Sequence, residues 1–335
     1  MTPDLGTPDL GMGGHSSHPG RAPLFRQITF VGLGLINGSI ARDVRRLGLA
    51  GRLVGTARRA ETRAEACGLG LVDEATPDAA AAVRDADLVV LGVPVGASGD
   101  AARAMAPGLR TDVIVTDVGS AKGKVIELVT PHVDMRRFVP GHPVAGTEES
   151  GPAAAIDRLF ENRWCILTPQ ALTDPAATER VAALWRALGS KVDVMDAAHH
   201  DKVLAVTSHL PHLLAFNIVN TADDLEGVLK GEILKYAAGG FTDFTRIAAS
   251  DPTMWRDVFL HNKTAVLEIV GRYIEDLMAL QRAIRWDEAD ALFERFKSAQ
   301  AIRREVVRAG QAYKRVPSTR YQPGRSVRHL SETLS

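Results

Sequence analysis

The chemistry in this sequence starts with one imidazole. His142 lies in Arg137-Phe-Val-Pro-Gly-His-Pro-Val-Ala-Gly146, where Pro140 and Pro143 restrict the backbone on both sides. A ring held in this way, between an α/β half and a helical half, reads as sitting where cofactor meets substrate. Phe138 and Val139 read as the end of a strand. The Pro-Gly-His-Pro run after them reads as a loop, since proline removes a ladder donor. Downstream come His199-His200-Asp201 and Thr207-Ser-His-Leu-Pro-His212. His209 and His212 are three apart, on one helical face. They suit substrate-pocket donors, core or capping histidines, or metal ligands, although the metal reading finds no third carboxylate or thiol ligand nearby. Arg246 follows Gly239-Gly-Phe-Thr-Asp-Phe-Thr245 in a half-apolar stretch and needs an anion. Asp243, Asp251 or a substrate carboxylate would serve.

The elements that must position these groups read as alternating strands and helices. Ile28–Val31 is an apolar strand that meets Gly32-Leu-Gly34, and a helix pattern starting with Leu35 and Ile36 follows through Leu47. Strand, glycine turn and helix together form a dinucleotide cradle. Gly32 makes the turn, Gly34 lets backbone approach a pyrophosphate, and the helix N-terminus faces the phosphates. Asn37 stands where a third glycine is usual, with Gly38 next. A second strand, Arg52–Gly55, runs into Thr56-Ala-Arg-Arg59, where a carboxylate reading a free ribose 2′-hydroxyl would be expected. Arg58 and Arg59 favour a 2′-phosphate instead, so the sequence leans towards NADP over NAD. The alternative is that both arginines are solvated and both cofactors are accepted.

A third strand, from Asp87 through Val93, ends at Pro94 where a nicotinamide ribose would lie. A fourth, Val113–Asp117, ends in Val118-Gly-Ser120 and places the Ser120 hydroxyl at the same edge. The following Gly-Ser-Ala-Lys-Gly-Lys124 lacks the spacing of a phosphate loop. Trp164–Pro169 and Lys191–Met195 read as further strands around a helix from Pro175 to Leu188. From Ala197 the spacing is helical, and the long amphipathic helices Trp255–Arg282 and Asp287–Ala309 suggest a subunit interface. The expected fold is a Rossmann-type doubly wound, mostly parallel α/β sheet followed by an all-α dimerisation and substrate domain. Its boundaries would be a disordered tail (1–25), a dinucleotide domain (26–197), a helical domain (198–312) and a flexible tail (313–335).

Composition bounds the function. The 335 residues carry 40 basic and 40 acidic side chains, so a large basic field for nucleic acid is not implied; only the stretch from Arg303 onward is locally basic. No apolar run reaches the roughly 20 residues of a membrane span. Cys67 and Cys165 are far apart and read as two buried thiols in a reducing cytoplasm. The first residues, with His15 and His18, lack the apolar core of a signal peptide.

Five segments together resemble the prephenate/arogenate (cyclohexadienyl) dehydrogenase family of tyrosine biosynthesis: Gly32-Leu-Gly-Leu-Ile36, Asp117-Val-Gly-Ser120, Gly141-His-Pro-Val-Ala-Gly146, Ser208-His-Leu-Pro-His212 and Asp243-Phe-Thr-Arg246. The likeness covers about 27–309. It implies NAD(P)-dependent oxidation of a ring carbinol in prephenate or arogenate, with loss of the ring carboxylate as CO₂. By that resemblance His142 takes the hydroxyl proton, and Ser120 bonds both the hydroxyl and His142. Arg246 clamps a substrate carboxylate, while His209 and His212 line the pocket. Glu148 orients substrate or gates the pocket. Asp243 and Trp255 reach the site from the neighbouring subunit of a homodimer. The resemblance also implies a core enzyme without regulatory or chorismate mutase segments. A β-hydroxy acid dehydrogenase would need a catalytic lysine, and Lys202, Lys235 and Lys263 sit in no matching motif. A non-catalytic dinucleotide sensor would not need Ser120, His142, His209, His212 and Arg246 to converge.

Overall fold

The computed structural model describes residues 22–224 and 239–308. The expected tails (1–25 but for its last four residues, and 313–335) and Lys235 lie outside the described residues. Six strands form one parallel sheet: β1 (Phe25–Val31), β2 (Ala50–Thr56), β3 (Glu74–Thr76), β4 (Leu88–Leu91), β5 (Ile114–Asp117) and β6 (Phe138–Val139). Their order is β3-β2-β1-β4-β5-β6, which reverses direction between β1 and β4. Helices α1 (Leu35–Arg46), α2 (Ala60–Gly68), α3 (Ala79–Val83), α4 (Ser98–Met105) and α5 (Lys122–Val129) connect them. With helices on both faces, β4 and β5 are buried at every position, which explains the unbroken apolar run of β4. Ligands of such sheets bind at the strand carboxyl ends, beside the reversal.

A second, three-stranded sheet corrects the loop reading around His142. Gly141–Pro143 is a strand (β7), antiparallel to β8 (Trp164–Leu167), with His142 opposite Ile166. β8 in turn pairs with β9 (Lys191–Val194). Pro143 is tolerated because β7 is an edge strand, where a missing N–H leaves no partner bare. Pro140 marks the switch from one sheet to the other. Between β8 and β9 runs α6 (Pro175–Ala187), whose Trp185 packs edge-on to Phe160 in the core.

The helical region begins with α7 (Ala197–Leu204), capped by Asp196. A π-turn (Ala205–His209) joins it to α8 (Leu210–Asp223). The expected distortion at Pro211 is thus met by widening the preceding turn. Together these elements form a 27-residue helical run, Ala197–Asp223, long and apolar enough to span a bilayer by length and composition alone. The sequence reading missed it because polar residues interrupt it, and two of these, His200 and Asp201, are buried against the sheet domain. Among the described residues, Gly239 and Gly240 lie in α9 (Gly239–Thr245), and Arg246–Ala249 is a 3-10 turn. Asp251 caps α10 (Pro252–His261), and α11 (Lys263–Arg285) follows. One continuous helix was expected from Trp255 to Arg282. It breaks at Asn262, whose side chain turns inward to bond Asp201 and His209.

Two compact units divide after Gly271. The first holds both sheets and everything described below as the site. The second contains the end of α11 and α12 (Ala289–Arg308), joined by a turn with Asp287 at φ 52°. Asp276 pairs there with Arg272 and Arg295. Trp286, Phe293, Phe296 and Ile302 remain exposed on it.

Candidate active site

The glycine turn after β1 is built for close approach. Gly32 has φ +93°, and a Cβ there would lie 2.4 Å from the Gly92 carbonyl oxygen. Its N–H donates to Thr56 O (2.8 Å), tying the turn to the end of β2. Asn37, at the place of the usual third glycine, is buried and donates to Gly32 O (2.7 Å) and Val90 O (3.2 Å). It thereby fastens the turn to β4. Gly92 makes room for it, because a Cβ there would meet the Asn37 amide at 2.4 Å. Gly38 takes over the close-packing role, facing Ala155.

Helix α1 starts at Gly34 with no side-chain cap and no acidic residue in its first turn. The first helical bond is donated by Gly38, so the N–H groups of Leu35 and Ile36 have no acceptor among the described residues. Space above Gly34 is open for 4 Å around a built Cβ. Open backbone donors at a helix N-terminus fit a dinucleotide pyrophosphate. Thr56 is buried at the end of β2, and Arg58 and Arg59 are exposed just beyond it. Arg59 lies 3.8 Å from Glu61, and Arg63 donates to the Ala57 and Arg58 carbonyls. Val93 is half-buried and Pro94 exposed at the end of β4.

The next strand end carries the frame for His142. Asp117 accepts from Gly119 N (2.8 Å) and Gly141 N (3.1 Å), and pairs with the wholly buried Lys122. Lys122 Nζ also donates to Gly141 O (2.6 Å). Both backbone groups of Gly141 are therefore fixed, and with them the residue that follows. His142 Nδ1 lies 2.9 Å from His200 Nε2, and Nε2 of His142 has no partner among the described residues. Burial first, then His200 and Lys122, holds His142 well below the ordinary imidazole value, so the ring is neutral. Ser120 is half-buried at this edge. Among the described residues no bond joins Ser120 to His142, whose Nδ1 meets His200 instead.

The helices carry the remaining residues singled out from sequence. His209 is wholly buried and shares a 3.1 Å bond with Asn262; burial lowers its pKa to about 4. Its Nε2, like the buried Trp255 Nε1, has no partner among the described residues. His212 donates from Nδ1 to Ser208 O (2.9 Å) and stacks on Trp255 with ring centroids 3.6 Å apart. Trp255, expected to reach the site of a neighbouring subunit, packs on the His212 of its own chain within the described residues. Arg246 is partly exposed rather than buried. It bonds Glu148 at 3.1 Å, a partner not considered from sequence. Asp251 caps α10, and Asp243 is exposed.

Sequence reasoning thus missed Lys122, Asp117 and Asn262, whose parts depend on contacts between distant segments. His200 and Asp201 were visible as a polar pair without a role.

A glycine-turn nucleotide fold with a neutral imidazole at its carboxyl edge is that of an NAD(P)-dependent dehydrogenase. The chain belongs to the prephenate dehydrogenase family: residues 40–194 match its nucleotide-binding domain and 196–298 its dimerization domain. It is 42% identical to the cyclohexadienyl dehydrogenase of Zymomonas mobilis, over 84% of this chain and 96% of that one. Among solved structures it resembles prephenate dehydrogenase from Aquifex aeolicus, in complex with hydroxyphenyl propionate and NAD+. That match has a TM-score of 0.79 and 37% identity, covering 84% of this chain and 98% of the other. The arogenate dehydrogenase of Synechocystis matches with a TM-score of 0.71 and 29% identity, covering 83% and 99%.

Proposed function

We propose that this chain oxidises prephenate to 4-hydroxyphenylpyruvate in tyrosine biosynthesis, and accepts arogenate, giving tyrosine. The observation that carries the chemistry is the neutral His142 with an open Nε2 at the sheet's carboxyl edge. Bound nicotinamide supplies the hydride acceptor. Gly32, Gly34, Leu35 and Ile36 would hold the pyrophosphate, Val93, Pro94 and Ser120 the nicotinamide end, and Thr56, Arg58 and Arg59 the adenosine ribose. Two exposed guanidiniums favour NADP over NAD.

His142 Nε2 takes the proton of the ring hydroxyl as the carbinol carbon is oxidised. Ser120 orients that hydroxyl. Arg246 exchanges its surface pair with Glu148 for a substrate carboxylate. His209, His212, Asp243 and Trp255 shape the remaining wall. Loss of the ring carboxylate then follows from aromatisation, which needs no further acid or base from the protein. The exposed Trp286, Phe293 and Phe296 support a homodimer through the helical region, and a monomer in light scattering would contradict it. The free thiols Cys67 and Cys165 fit the cytoplasm.

The test is absorbance of reduced nicotinamide with purified protein and prephenate or arogenate. Reduction is expected, faster with NADP at limiting cofactor. No reduction with either substrate and either cofactor would sink the proposal.

A further inference from the structure

The pair His200-Asp201 has no part in the reading above, yet it is buried behind His142, with His200 wholly inaccessible. His142 Nδ1 and His200 Nε2 are 2.9 Å apart, their ring planes crossing at 67°. His200 Nδ1 is 2.9 Å from Asp201 Oδ1. The Asp201 carboxylate also accepts the N–H of Lys122 (2.8 Å) and of Gly123 (2.9 Å). Those are the first two residues of α5, so the carboxylate faces a positive helix end. Burial opposes its charge, but the His200 bond and these backbone donors win, and Asp201 titrates below its ordinary range.

The direction of each proton follows. An ionised carboxylate can only accept, so His200 carries its proton on Nδ1. Neutral His200 then offers a lone pair at Nε2, and the bond from His142 must be donated by His142 Nδ1–H. That leaves the lone pair of His142 on Nε2, facing away from the relay.

We infer that His200 and Asp201 are positioning residues that fix His142 as a base at Nε2 and draw a proton away from it during turnover. The inference rests on the functional reading above. In the relay the substrate hydroxyl proton bonds to His142 Nε2. The His142 Nδ1–H bond breaks as that proton passes to His200 Nε2, while His200 Nδ1–H stays bonded to Asp201. One positive charge is added, and it ends beside a carboxylate. The surrounding groups support this direction. Lys122 from α5 and His209 from the π-turn disfavour a charge on His142, with Asp117 from β5 and Cys165 from β8 completing its surroundings. Burial, the largest influence, and Lys122 oppose a charge on His200 too, but there Asp201 and Asp117 counter them, whereas nothing among the described residues counters them at His142.

Nitrogen-15 labelling of the histidines reads the tautomer directly in the full-length protein, with His142 assigned by its loss in His142→Asn. A proton on Nδ1 and none on Nε2 is expected; a proton on Nε2 overturns the inference, whether or not any substrate turns over. His200→Gln keeps an acceptor for His142 Nδ1–H and leaves the Asp201 bonds to α5, but cannot take the proton. It should lower kcat about 10- to 100-fold, move the acid limb of kcat/KM to lower pH, and leave cofactor KM unchanged. His200→Phe removes the acceptor as well and should lose more, about 10²–10⁴-fold. A group that only braces α5 would not move the acid limb, so wild-type kcat and an unmoved limb in His200→Gln overturn the relay. Absence of turnover in the wild type counts against the functional reading instead, and the tautomer then decides this inference alone.

Discussion

The Arg246 guanidinium meets the Glu148 carboxylate at 3.1 Å, joining residues 98 apart in sequence. Their side chains are 47% and 33% exposed, so the pair contributes only about 0–1 kcal/mol and is readily exchanged. A charged hydrogen bond to substrate contributes more, about 1.5–3 kcal/mol. Arg246→Ala should therefore raise the KM for prephenate about 10- to 100-fold, by that same principle, with cofactor KM unchanged. Glu148→Gln removes the competing carboxylate and should lower substrate KM a few-fold. Steady-state kinetics on both variants check this, and a near-normal KM in Arg246→Ala would remove the clamp from the account.

Stability should fall on mild acidification. Burial, the largest cause in each case, holds His142, His200, His209 and His212 below the ordinary imidazole value. The unfolded chain therefore binds more protons than the folded one once pH drops below about 6.5. The stability these rings contribute is complete above that pH and is lost on the way down. For His209, lowered to about 4 and wholly buried, the loss approaches about 3 kcal/mol by pH 4. The lowered pKa of Asp201 adds a further loss at still lower pH. Urea midpoints measured from pH 7.5 to 4.5 should hold down to about pH 6.5 and decline below it; a flat profile would mean the rings titrate alike folded and unfolded.

Arg58 and Arg59 stand exposed beyond the buried Thr56, where a ribose 2′-substituent would be read. Replacing both by alanine should raise KM for NADP about 10-fold, the order expected for lost charged contacts. KM for NAD should hardly change. An equal effect on both cofactors, or none, would leave the arginines as solvated surface.

Much of this was legible before the fold was known, and the reasons differ by element. The strand and glycine turn at Ile28–Gly34 are local signals, and the parallel sheet follows from runs such as Leu88–Leu91 that only two covered faces allow. Asn37 looked like a defect in the glycine pattern. Its meaning depends on Gly92, 55 residues on, whose missing Cβ lets the amide reach the turn. His142 was found as a group, but its strand was not, because Pro143 is permitted by an edge position that no local pattern reveals. The helix break at Asn262 was hidden for a similar reason: it is set by buried partners on α7 and the π-turn. The roles of Lys122, His200 and Asp201 likewise arise only when α5, α7 and β7 converge.

The most direct test of the account compares His142→Asn with the wild type for reduced-nicotinamide formation at saturating prephenate and cofactor. Loss of the base should lower kcat by about 10²–10⁴ while cofactor binding, read by fluorescence of the reduced dinucleotide, stays intact. Turnover at the wild-type rate would contradict the assignment of His142 as the base.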